Sequence, residues 1–125
     1  MRFALSFALA AGIAIPLFAV DAAKEVEAIM KDVKKPNKEL KKLANAKKFN
    51  DPAFATELDK LIKASDKLKA FKHPEAEFNK MSADMSTALA AVKAAVGKKD
   101  LNAAETAWKE VGTSCASCHD KYQKD

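Results

Sequence analysis

The sequence predicts an all-α domain, an antiparallel four-helix bundle, and three observations support this. Beyond residue 22, apolar residues recur at three- and four-residue intervals, and no alternating β-branched run occurs. Glycine is confined to Gly12, Gly97 and Gly112. Start and stop signals divide the chain into four amphipathic segments with short connections, which makes consecutive helices antiparallel neighbours.

The first helix is expected over 23–47, with Val26, Ile29, Met30, Val33, Leu40 and Leu43 forming an apolar stripe among lysines. Pro36 lacks the N–H that would bond the carbonyl of Asp32, so a kink or short break is expected at 34–37. Asp51 then serves as N-cap, with Pro52 at the first helical position, where its missing donor costs nothing. The second helix should run over 52–71 on Phe54, Leu58, Leu61, Ile62, Leu68 and Phe71. His73-Pro74 punctuates the chain.

A third helix is expected over 74–96, with Phe78, Met81, Met85, Ala88, Leu89, Val92 and Val96 on one stripe and Gly97 as its stop. Asp100 caps the fourth, over 101–123, where Leu101, Ala104, Trp108, Val111, Cys115, Cys118 and Tyr122 recur every three or four residues. Trp108 fits a packing role.

Residues 1–22 have the layout of a secretory signal: Arg2, then an apolar run to Val20 and small residues around Ala22. Cleavage is expected after Ala22, with Ala19 as the competing site, leaving 23–125 as a single domain in the periplasm. The competing view is an uncleaved anchor; Gly12, Pro16 and the small residues favour cleavage, after which no stable membrane insertion is expected.

The formal charge is +5, and every positive side chain beyond Arg2 is a lysine. Such a surface favours acidic partners. Nucleic acid is a weak expectation, because lysines alternate with acids, as in Lys31-Asp32 and Lys109-Glu110, in the manner of ordinary solvated faces.

The chemistry concentrates at Cys115-Ala116-Ser117-Cys118-His119, the attachment pattern of haem c. Two thiols three residues apart lie on one side of a helical turn, placed to add to two vinyl groups, and the next residue offers an imidazole to iron. A redox thiol pair and half of a zinc site use the same cysteine spacing. The first is expected beside a βαβ pattern, which is absent, and the second needs more ligands than His73 can supply. The motif holds both cysteines of the chain, so one covalently bound haem c (iron) per chain is the cofactor expected. Neither a Ser/His/Asp set, a glycine-rich phosphate loop nor a paired-carboxylate site stands out, so a carrier is expected and not an enzyme.

An exported all-α chain with Cys115-x-x-Cys118-His119 near its C-terminus, followed by Tyr122, resembles the class II cytochromes c, the cytochrome c′ family. The resemblance covers the whole of 23–125, although only the final motif is specific. It implies a cytochrome c′-like bundle with the haem between helices, His119 as an axial ligand, and relatives that are often homodimers through their first two helices. Two positions depart from the family's usual pattern: Gln123 follows the tyrosine where relatives often carry a basic residue, and no arginine follows residue 22. A lysine such as Lys31 or Lys34 would have to meet a propionate.

Family members divide into low-spin proteins with a methionine from the first helix on the iron and high-spin ones with an open apolar site that binds nitric oxide or carbon monoxide. Ile29-Met30-Lys31 resembles the ligand-bearing segment of the low-spin group, which makes Met30 the expected sixth ligand. A different register would instead place Pro36 opposite the iron. Met81 and Met85 fit core filling better than ligation, and His73 is expected to be a solvent-exposed loop residue. With Met30 bound, the expected function is one-electron transfer in the periplasm to acidic-faced redox proteins; with it unbound, gas binding.

Overall fold

The computed structural model describes the backbone of residues 2–122 and the side chains of 22–122. Four helices make up the described chain: α1 (Arg2–Asn45), α2 (Pro52–Ala70), α3 (Ala76–Gly97) and α4 (Leu101–Tyr122). No strand occurs among the described residues. Consecutive helices pack side by side, α1 on α2, α2 on α3 and α3 on α4, so the side between α1 and α4 is the least tightly closed. The signal-peptide expectation falls on residues whose side chains, Ala22 apart, lie outside those described. Among the described residues no helix is long and apolar enough to cross a membrane.

The predicted stripes form the core, except that Leu101, expected to begin the α4 stripe, is exposed at the start of that helix. Leu40 and Val33 of α1, Phe54, Leu58, Leu61 and Leu68 of α2, Phe78, Leu89 and Val92 of α3, and Ala104 and Val111 of α4 are all buried in one cluster. Ala104 and Ala107 keep α4 slim, which permits the close approach of α3. Phe49 in the α1–α2 connection closes that end, meeting Phe54 edge to face at 5.1 Å, while Trp108 meets Phe54 at 6.0 Å. Trp108 therefore packs, as its place in the stripe suggests.

The caps fall where the sequence puts them. The Ala53 N–H donates to Asp51 Oδ1 at 2.9 Å, and the Ala103 N–H donates to Asp100 Oδ1 at 3.1 Å. The stops differ from expectation. α1 ends at Asn45 and α3 at Gly97, but each chain turns at a lysine two residues on: Lys47 (φ 59°) and Lys99 (φ 58°). At each, paired backbone bonds close the turn, Lys48 N–H to the Leu43 carbonyl with Lys47 N–H to Ala44, and Asp100 N–H to Ala95 with Lys99 N–H to Val96. Gly97 itself is right-handed, so the left-handed position falls on lysine.

Pro36 does not break α1, which continues without interruption to Asn45. Its ring is buried and lines the α1–α2 groove with Ala64. Only one backbone bond is lost there, and burial of Val33 and Leu40 on either side holds the helix against α2. Tertiary packing overrides the local cost.

Candidate haem-binding site

Cys115, Cys118 and His119 line a single cleft on α4, and both thiols are free. The opposite walls come from the other three helices: Met30, Val33 and Asn37 of α1, Leu68 of α2, and Met81, Ser82 and Met85 of α3. As packed, the cleft has a volume of about 30 Å³, so its walls must part to admit a macrocycle. The α1–α4 side is where the bundle yields most readily, because the backbones there are held together least.

The i, i+3 spacing gives the two cysteines a common face, toward the cleft, while His119 remains largely exposed beside them. The Cys115 thiol donates to Met85 Sδ at 3.9 Å. Burial pushes the Cys115 thiol above the usual range, and the Lys41 ammonium pulls it partly back. Cys118 is raised too, first by burial and then by its neighbour Cys115. Both sulfurs are therefore neutral thiols at neutral pH.

Met30 is half-buried and lies in the cleft with the cysteines and His119, so the structure brings together all four site residues expected from the sequence. It brings more. Met81 and Met85 share the cleft, and Asn37 and Ser82 put polar atoms in its wall. Asn37 was open to detection as the continuation of the Met30–Val33 stripe; Ser82, whose hydroxyl donates to the Asn79 carbonyl at 3.0 Å, had no such signal.

Two expectations need correction. His73 is not a free loop residue: it is half-buried, stacked on Phe78 with centroids 4.2 Å apart, and edge-on to Tyr122 at 5.7 Å. Its Nδ1 accepts from the Glu75 N–H at 3.0 Å, and Asn79 binds both its backbone N–H and its carbonyl, each at 3.0 Å. It braces the end of α4 and lies outside the cleft lining. Lys31 lines the groove between α1 and α2, on the other side of α1 from the cleft; Lys41 is the lysine whose charge reaches Cys115. Near the same end, Lys121 pairs with Glu77 and ties α4 to α3.

Two free thiols facing an apolar cleft of a four-helix bundle, with an exposed imidazole at its rim on the same helix, fit thioether attachment and iron ligation of a haem. Among the described residues no group of three or more His, Cys, Asp or Glu side chains is placed to hold a metal ion by itself. Fold and site together define a haem-carrying helical bundle of the c type. The chain matches the family described as cytochrome c′ over residues 21–123, and the protein belongs to that family. No curated protein and no solved structure matches the chain.

Proposed function

We propose that the protein is an exported one-electron carrier holding one haem c through Cys115 and Cys118, with His119 and Met30 as the axial ligands. The single observation that supports it is the place of Met30. It reaches the cleft from α1, whereas His119 enters from α4, so the two residues approach from different walls of the same site. Met85 comes from α3, the close neighbour of α4, and its sulfur is beside Cys115, so it is better placed to pack against the attachment side.

When bound, the haem supplies a reversible iron couple, and thioether ligation raises its reduction potential. The chain's own residues do the rest. Cys115 and Cys118 would fix the cofactor covalently, the apolar Val33 and Leu68 would exclude water, and Met30 of α1 would supply or withhold a second protein ligand to its iron. A second reading is gas binding: with Met30 turned away, Val33 and Leu68 would form an apolar pocket for nitric oxide or carbon monoxide.

The test is the absorption spectrum of the holoprotein, produced with haem-attachment machinery, before and after carbon monoxide. A low-spin ferrous spectrum that carbon monoxide barely disturbs, turning high-spin in Met30→Ala, supports the carrier. A high-spin spectrum that shifts readily with carbon monoxide removes Met30 from the iron and puts gas binding first.

A further inference from the structure

On the side of α1 away from the cleft, α1 and α2 enclose a groove of about 480 Å³. Its charged lining is Lys31, Asp32 and Lys35 from α1 and Lys60, Lys63 and Lys67 from α2, five lysines to one aspartate. Lys67 pairs with Asp32 at 3.4 Å and Lys60 with Glu57 at 3.2 Å, while Lys31, Lys35 and Lys63 have no carboxylate within ion-pair distance among the described residues. The floor is Pro36 and Ala64, both buried. We propose that this groove is a docking site for an acidic polypeptide segment of a partner protein.

Two features select that occupant. The lysines form two rows, and the seven helical steps from Lys60 to Lys67 cover roughly 10 Å of groove, so positive charge is spread along a line and not gathered at a point. Lysine ammoniums attract such distributed carboxylates as point charges, whereas compact phosphates are best met by the guanidinium forks absent from this groove.

A second copy of this chain, the pairing found in relatives that join through their first two helices, is disfavoured at this groove. A two-fold interface would set the five lysines of one protomer against the same five of the other, and like charges oppose that closure. A flat membrane surface would meet the rims of the groove and leave its floor uncovered.

Position gives the groove its consequence. Met30 and Val33 line the cleft while Lys31, Asp32 and Lys35 line the groove, so one helix, roughly 10 Å across, is the whole partition between a docked partner and the haem site. The groove rests on the carrier reading only for the partner's being a redox protein; the binding itself follows from the charges and shape above.

The test is the affinity of the holoprotein for a fluorescent poly-L-glutamate peptide, read by anisotropy at low and high ionic strength. Binding at low salt is expected, and Lys35→Glu with Lys63→Glu should weaken it by about tenfold or more. The control pair, Lys48→Glu with Lys72→Glu, makes the same change in net charge outside the groove and should weaken it by less than about twofold. Equal losses in the two pairs would overturn the site. So would tripolyphosphate or phosphatidylglycerol vesicles binding at least as tightly with the same dependence on Lys35 and Lys63, or dimers in sedimentation that the groove variants dissociate. The carrier reading fails separately, through a high-spin spectrum with peptide binding intact.

Discussion

Where α1 passes to α2 and α3 to α4, Phe49, Phe54 and Trp108 interlock, both entering helices carry aspartate caps, and both departing helices end in closed backbone turns. At the opposite end, Glu75 precedes α3 without a side-chain cap bond, and the interior between the helices is lined by Met30, Met81, Met85 and two cysteines around a small cavity. One end is built of rigid aromatic and aliphatic contacts; at the other His73, Phe78 and Tyr122 close the tip, but the cleft beneath them is lined by unbranched sulfur side chains that repack at little cost. The contrast shows how a small bundle divides its labour: the connections hold the helices in register so that the far end can open around a cofactor.

Substitutions that distinguish the two ends sharpen this. Phe54→Ala removes a side chain with no exposed surface at the closed end and should cost about 3–5 kcal/mol, read as a fall in the thermal or urea midpoint, with the haem spectrum of the folded fraction unchanged. Met85→Ala at the open end should cost about 2 kcal/mol, the lower limit for such a truncation, because Met81 can move into the space. Unlike Phe54→Ala, it should alter the haem spectrum. Equal costs with equal spectral effects would erase the distinction between the ends.

Asp100→Ala removes the α4 cap and should cost about 1 kcal/mol in the same measurement. The smallest effect has the opposite sign. Lys99→Gly relieves a left-handed backbone at a non-glycine residue, and a gain of about 0.5 kcal/mol is expected after the glycine's greater unfolded-state entropy is set against it.

Lys47→Gly relieves the same conformation but removes the bond from Lys47 Nζ to Glu105, 2.9 Å long, which reaches from the α1–α2 turn to α4. Lys47, by that hydrogen bond and by its charge, holds the Glu105 carboxyl below the usual range. A lowered folded-state pKa gives stability that is present above the unfolded value and lost as pH falls through the folded one. The benefit of Lys47→Gly should therefore be smaller than that of Lys99→Gly at neutral pH and draw level with it in acid. Denaturation midpoints of the two variants across that range check the point.

Much of the site was legible in the sequence because its donors are neighbours in the chain. Cys115, Cys118 and His119 need only one helical turn to share a face, and local geometry guarantees that turn. Met30 was legible as a resemblance, and its presence in the cleft could be seen only once α1 was packed. His73 was misread because a turn before proline looks exposed, whereas Phe78 and Tyr122, distant in sequence from each other, close over it. The stop of α3 at Gly97 was legible, but the left-handed positions that follow α1 and α3 fall on Lys47 and Lys99, which carry no local signal for it.

By itself the sequence determined the all-α class, the four segments, the caps at Asp51 and Asp100, and the haem-attachment motif, all of which depend on residues within a turn or two of one another. Tertiary structure alone decided that Pro36 would not break α1, that three methionines would share the cleft, and that lysines from two helices would line one groove. The physical reason is distance along the chain. Hydrogen bonds and helical periodicity act between near neighbours, whereas burial and charge act between whichever residues the packed helices bring together.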